Sequence, residues 1–291
     1  MKPFAIAMGY IIKVLYDVTL NYGIAIILFT IVIKLLTLPL TIKQQKSLLE
    51  TQKMQPEVNR IQKKYKDMNE ALEKKLKNKK ISEEKYQEET RKNNENLNME
   101  VAKLYKEMNV NPFSGCLLLL IQFPIIIAMF YVIQQPITYM FRDQTIELPS
   151  VYAENTYGQV YYIANERPDM LNMNFLGLNM GQVPSNNTAN PILWIIPILA
   201  GVTTFLSSKI SMAQQKKNQG DSQANQQVES MNKNMMTFFP IMSAYIAFIV
   251  PLGMGLYWLV NNIVTMVIQF LVNKSLHNDE QQPVKLITEG K

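Results

Sequence analysis

Residues 22–40 read YGIAIILFTIVIKLLTLPL, and Lys34 is the only charged side chain among them. At ~1.5 Å of rise per residue, such a run crosses a hydrocarbon core of ~30 Å as a helix. A charge at that depth costs roughly 2.5–3.5 kcal/mol on insertion scales, so it usually faces protein or water and often marks function. The competing reading is a lysine that snorkels to the surface. Lys34 stands nine residues before Lys43, the first basic residue beyond the run, which places it ~13 Å deeper along the axis. A lysine stem recovers only part of that depth. The position therefore favours a charge turned into a groove.

Outward from this run, the mean hydropathy of −0.04 results from two populations that cancel. Apolar runs of spanning length alternate with strongly charged segments, so the chain reads as a polytopic membrane protein with soluble appendages. Five spans are expected: Tyr22–Thr41, Phe113–Gln135, Ile192–Ile210, Met236–Val250 and Gly255–Val272. The last two are separated by the breaker cluster Pro251-Leu252-Gly253. The fourth would make only ~22 Å of helix, a mismatch that thins the bilayer or tilts a packed hairpin. Pro124 and Pro197 are expected to kink their spans by removing a backbone donor. Upstream, Phe4, Met8, Ile11, Leu15 and Val18 recur at steps of four and three, the pattern of an interfacial amphipathic helix over residues 1–20. Lys13 and Asp17 interrupt this run, and it does not read as a cleaved signal peptide.

Catalytic chemistry has little to work with. The one cysteine, Cys116, forms no intrachain disulfide, and the one histidine, His277, lies in a polar tail. There is no GxxxxGK[ST] loop for a nucleotide, and Gly253-Met254-Gly255 reads as a turn. Neither an enzyme nor a cofactor is expected.

Basic residues set the orientation. Residues 42–111 hold 17 Lys or Arg, residues 209–235 four, and the tail from Asn273 three, whereas residues 136–190 hold only Arg142 and Arg167 against five acids. The positive-inside rule then places the N-terminus outside and the C-terminus in the cytoplasm. The net charge of +6 is thus a topology signal; because the basic residues alternate with acids, it does not point to nucleic acid. Within the cytoplasmic segment 43–111, Met54, Val58, Ile61, Tyr65, Met68 and Leu72 form a coiled-coil seam, on a helix begun at Pro56 after a bend. Asn78-Lys79-Lys80 breaks it. Ser82 followed by Glu83 and Glu84 caps a second helix, with Leu97, Val101, Leu104 and Met108 on its stripe. The expectation is an all-α fold of five transmembrane helices carrying a cytoplasmic antiparallel coiled-coil hairpin. The first span covers 21–42 and the other four lie within 112–272. The external loop 136–190 is read as loops and short interfacial helices. The cytoplasmic loop 211–235, rich in Gln, Asn and Lys, and a tail over 273–291 complete the plan.

Five strings in register carry a resemblance: NYGIAIILFTIVIK (21–34), MQPEVNRIQKKYK (54–66), LYKEMNVNPFSGCLLLLIQFPI (104–125), FFPIMSAYIAF (238–248) and PLGMGLYWLVNN (251–262). Together they resemble the YidC family of membrane protein insertases, over most of the chain from about residue 20 to 272 and in the short form of single-membrane bacteria. The resemblance implies a hydrophilic groove, open to the cytoplasm and to lipid and closed towards the outside. Its substrates are nascent membrane proteins, with the ribosome and the general secretion channel as further possible partners. Family members usually carry arginine where this chain has Lys34, which keeps the charge and loses the bidentate fork. The lipoprotein cysteine near the start of many short forms has no counterpart here.

Polar side chains at spanning depth are the groove candidates: Lys34, Thr30, Thr37, Gln122, Thr204, Ser208, Ser243, Trp258 and Asn262, with Gln269 beyond them. For most of these, interhelical hydrogen bonding is the alternative, and Trp258 also suits an interfacial anchor. Two other function classes stay open. A secondary transporter or channel would use Lys34 as an intramembrane ion site, although no span offers it an acidic partner. A scaffold would act through the 43–111 hairpin alone.

Overall fold

The computed structural model describes residues 2–108, 114–142, 144–216 and 226–280. The described chain is mostly helical, and it divides into two compact units. One comprises Met1–Ile42, Leu118–Ile210 and Met235–Lys291, the other Lys43–Leu117 and Ser211–Asn234.

In the first unit, α1 (Lys2–Thr19) buries Ala5, Met8, Gly9, Ile12 and Tyr16. Of the expected stripe, Met8 is buried and Ile11 and Leu15 pack against the core, whereas Phe4 and Val18 are exposed. The reason is close approach: α1 packs on the short helix α5 (Pro136–Tyr139), and a Cβ on Gly9 would collide with the Tyr139 carbonyl. Small residues, Ala5 and Gly9, thus face the protein alongside Met8, Ile12 and Tyr16. Lys13 pairs with Asp17 one turn on at 2.5 Å and lies over the Phe141 ring. Neither charge interrupts the packed face.

Helix α2 runs unbroken over Tyr22–Lys77 through Pro39 and Pro56, so the expected helix start at Pro56 is corrected. Helices α4 (Ser114–Gln134), α8 (Ile195–Lys216), α9 (Gln226–Ile249) and α10 (Leu252–Glu280) supply the other apolar runs. Among the described residues, stretches within Tyr22–Lys77, Pro191–Ser211 and Leu252–Val272 are long and apolar enough to cross a membrane. Gln122–Gln134 and Phe238–Ile249 are shorter apolar stretches. Pro124 lies inside α4 as expected. Pro197 instead falls in the first turn of α8, where the missing amide has no helical partner to lose. Gly253 and Gly255 do not form a turn. They belong to the first turn of α10, where a Cβ on Gly255 would press on Ile196.

Between α4 and α8 the chain forms α5, then α6 (Ser150–Ala153), α7 (Gly158–Glu166) and a two-stranded ribbon, β1 (Asn174–Phe175) with β2 (Leu178–Asn179). The ribbon was not expected. Its neighbourhood ties together the starts of two long helices. The Tyr22 amide donates to the Asn172 carbonyl at 2.9 Å, and the Leu252 and Gly253 amides donate to the Gln182 and Met180 carbonyls at 2.8 Å each. Asn21 caps α2 by accepting from the Ile24 amide and donates to the Asn174 carbonyl. The Asn172 amide in turn donates to the Tyr16 hydroxyl. Orphan donors of helix first turns are thus satisfied by one segment, Asn172–Gln182.

In the second unit, α3 (Glu83–Glu107) starts at the expected cap, with the Ser82 hydroxyl accepting from the Lys85 amide. Lys79 makes the turn at φ 53°. Lys64 pairs with Glu100 at 3.0 Å, and Asn93 donates to Asn69 at 2.8 Å. Residue numbers rise on α2 as they fall on α3, so the two helices are antiparallel along this stretch. The Lys64 ammonium also holds the Glu100 carboxyl below its usual range, although an exposed pair of this kind adds little stability. Met54, Val58, Tyr65 and Leu72 are buried, whereas Met68 and Met108 are exposed. In α3 the buried side chain is Asn93, which the apolar pattern could not reveal. Parts of the expected loop 211–235 and tail, residues 217–225 and 281–291, lie outside the described residues.

Because Gly9 meets backbone rather than a movable side chain, Gly9→Val should destabilise the fold by roughly 1–3 kcal/mol. A lower midpoint in thermal unfolding of the detergent-solubilised protein checks this, with the solvent-facing Ala7→Val change as the control.

Candidate functional site

The packing of α2 changes abruptly at Lys34. On its N-terminal side, Tyr22, Gly23, Ala25, Ile26, Phe29, Thr30 and Ile33 are all buried. From Lys34 to Lys43 no side chain is buried, and Leu35 and Leu36 are well exposed. Helix α8 shows the same break. Ile196, Ala200, Gly201 and Thr203 are buried, and from Thr204 to Ser211 nothing is. In α4, which runs the opposite way, Gln122, Phe123 and Pro124 are not buried, whereas Ile125, Ala128 and Met129 are. In α2 and α8 close packing thus gives way to uncovered side chains, whereas α10 still buries Gln269 and Val272 near its far end.

Lys34 sits half-exposed at this boundary. Among the described residues it has neither a carboxylate partner nor a hydrogen-bond acceptor. Its neighbours on the same helix face are hydroxyls turned back on the backbone. Thr30 donates to the Ile26 carbonyl at 2.7 Å, Thr37 to Ile33 at 2.9 Å, and Thr41 to Thr37 at 3.0 Å. Such bonds satisfy the hydroxyl proton locally and leave oxygen lone pairs available. Thr30 is fully buried on the packed side, whereas Thr37 lies on the uncovered side.

The other candidates fall into two groups. Thr204, Ser243 and Asn262 come together. Asn262 donates to the Thr204 hydroxyl at 2.8 Å and to Thr203 at 3.3 Å, and the Thr204 and Ser243 hydroxyls lie 3.0 Å apart. Ser243 and Asn262 are buried, so this cluster joins α8, α9 and α10 by the interhelical bonding weighed as the alternative above. Thr203 belongs to it and escaped the sequence reading, although it is the other half of a Thr-Thr pair. Gln122 makes a long 3.5 Å contact with the Tyr257 hydroxyl across α4 and α10. Tyr257 was also missed, being hidden beside Trp258 in an apolar run. Ser208 and Trp258 are half-buried. Gln269 is buried, and its carbonyl oxygen has no partner. Lys34, Thr37, Gln122, Thr204 and Ser208 thus stand at or beyond the edge of the packed half. Thr30, Ser243 and Asn262 lie within it, and so does the half-buried Trp258, one turn before Asn262 on α10.

No grouping of three or more His, Cys, Asp or Glu suited to a metal occurs among the described residues. Among the described residues the arrangement offers a cation without a carboxylate partner, a few hydroxyls and an amide, beside uncovered apolar surface.

The model of the 60Kd inner membrane protein family matches residues 14–83 and 75–280. A membrane protein insertase YidC of Fusobacterium nucleatum is 30% identical over 254 residues, covering 87% of each chain. One from Geotalea daltonii is 27% identical over 265 residues, or 91% of this chain, which spans only 36% of that longer relative. The crystal structure of an active YidC insertase with its first transmembrane domain resolved shares 22% identity and a TM-score of 0.48, over 91% of this chain and 45% of that one.

Asn262→Ala should lower stability by about 0.6–1.7 kcal/mol, the range for hydrogen bonds between membrane helices. Combined with Thr204→Ala the loss should be less than additive, because both changes break the same bond. Unfolding of the single and double variants in detergent checks this.

Proposed function

Because this chain belongs to the 60Kd inner membrane protein family, the family of the YidC insertases, we propose that it inserts nascent membrane proteins into the lipid bilayer through a half-open groove. It is a bacterial membrane protein and not an enzyme. The observation that carries the proposal is the end of close packing at Lys34. A charged side chain opens the uncovered half of the layer, which is the half continuous with the basic segment 43–111.

In this reading the chain has five spans, with the short apolar stretches of α4 and α9 completing the three long ones. The N-terminus lies outside, and the antiparallel α2–α3 coiled coil and the C-terminus are cytoplasmic, in accord with the distribution of Lys and Arg. The close-packed outer half closes the groove towards the outside. The inner half, lined by Lys34, Thr37, Gln122, Thr204 and Ser208, admits water and faces lipid.

A substrate with one spanning helix must carry a short polar flank across ~30 Å of hydrocarbon. A wet half-groove shortens the dry part of that path, and bilayer thinning around the short α9 stretch shortens it further. Lys34, free of a carboxylate partner and in reduced dielectric, attracts acidic residues of the flank while they are in transit. The substrate helix then leaves sideways into lipid. That hydrophobic transfer drives the step without nucleotide. The α2–α3 segment is the surface on which a ribosome or the general secretion channel would dock, and the partner-free charge is what separates this proposal from an ion transporter.

The test uses cells depleted of their own insertase and a single-span substrate with an acidic external flank. At matched expression, wild type and Lys34→Arg should restore insertion, while Lys34→Ala and Lys34→Glu should lower it, Glu more than Ala. Equal rescue by all four would remove Lys34 from the mechanism. Absence of rescue by wild type would remove the insertase reading itself.

A further inference from the structure

The turn of the β1–β2 ribbon carries a leucine where water would not favour one. Leu176 is 86% exposed and has φ 51°, followed by Gly177 at φ 78°. A two-residue hairpin turn with both φ values positive is the type I′ turn, which prefers Asn-Gly or Gly-Gly. A bulky residue in this region is a conformational outlier. Leu20, in the corner between α1 and α2, repeats the oddity with φ 51° and 66% exposure, beside Val18 at 80%.

These residues belong to one place. Phe175 packs where a Cβ on Gly23 would fall, which sets the ribbon against the first turn of α2. The Asn21–Asn174 and Tyr22–Asn172 hydrogen bonds fix that register, and the Asn172 side chain also donates to the Leu20 carbonyl. Leu20 and Leu176 therefore both flank the residue at which the first apolar span begins. The nearest charges along the chain, Asp17 and Asp169, are each paired with a basic side chain, Lys13 and Arg167. No Asp, Glu, Lys or Arg occurs from Met170 to Ser208, nor from Val18 to Ile33. The amide-bearing side chains of Asn21, Asn172 and Asn179 are hydrogen-bonded within the protein, so they cost little to remove from water.

We propose that the ribbon tip, led by Leu176 and joined by Leu20, inserts into the bilayer leaflet at the N-terminal end of α2 and anchors that end of the first span to lipid. Lipid is the occupant because the patch is continuous with the lipid-facing side of α2, whose Ile24 and Leu28 are also exposed. An uncharged apolar tip beside a span start suits the boundary of headgroups and acyl chains. The inference requires only that α2 cross the bilayer, and it is independent of insertase activity.

The test is depth-dependent quenching of an environment-sensitive label. In a Cys116→Ser background the full chain carries one cysteine at a time, Leu176→Cys, Leu35→Cys or Glu154→Cys. Each is labelled with a nitrobenzoxadiazole dye and reconstituted into phosphatidylcholine–phosphatidylglycerol vesicles containing nitroxide lipids. The Leu35 label should be quenched most by a nitroxide deep in the acyl chain, which shows that α2 is inserted. The Leu176 label should be blue-shifted and quenched most by a shallow nitroxide, while the Glu154 label stays water-like and unquenched. A Leu176 label that matches Glu154, beside a quenched Leu35 label, would overturn the proposal. A blue-shifted but unquenched Leu176 label would also overturn it, since protein rather than lipid would then cover the tip.

Discussion

The first amides of a membrane helix have no partner within their own helix and no water in the hydrocarbon beyond. In this chain the need is met at one place. Carbonyls of Asn172, Met180 and Gln182 accept from the opening residues of α2 and α10, and the Asn21 side chain links the α2 cap to the same segment. The arrangement does more than satisfy donors. It holds the ends of helices far apart in sequence at a common level, so that Ile26, Met129, Ile133, Ile196 and Leu252 can pack as one core.

Once those ends are tied, the opposite ends need not be. Close packing in α2 gives way at Lys34 and in α8 after Thr203, and in α4 Gln122, Phe123 and Pro124 are not buried while Ile125 is. A lysine within the packed half would need a carboxylate and further hydrogen bonds to offset its desolvation. At the boundary it can stay hydrated and unpaired. The same geometry explains why the polar residues separate as they do. Ser243 and Asn262, inside the packed half, are joined in the Thr203–Thr204 network, whereas Thr37, Ser208 and Gln122, at or beyond the edge, keep more exposed surface.

Features that depend on local chemistry were legible in the sequence. The Ser82 cap followed by two glutamates, the Lys79 break and the apolar runs around Lys34 each follow from a few adjacent residues. Other features depend on what lies opposite. The apolar stripe on α1 placed Met8, Ile11 and Leu15 against the core but missed Ala5 and Gly9, which face the protein because the Tyr139 backbone approaches closely there. Pro56 suggested a break, but a proline in an exposed part of a long helix is tolerated there. Asn93 occupies the α3 seam because Asn69 faces it, and a polar partner of that kind fixes register at some cost in stability. The Leu176-Gly177 turn could not be anticipated, since leucine is among the poorer residues for that conformation in water. Lys34, by contrast, stands out as a candidate from its depth alone, while Thr203 and Tyr257 emerged only with their partners.

The most direct measurement is insertion into liposomes that contain the purified chain and no nucleotide. The substrate is a single-span protein with an acidic flank, and insertion is read as protection of that flank from external protease. The account predicts protection with the wild-type chain, none in protein-free liposomes, and marked loss with Lys34→Glu. Protection equal to that of protein-free liposomes, or protection that appears only when ATP is added, would contradict it.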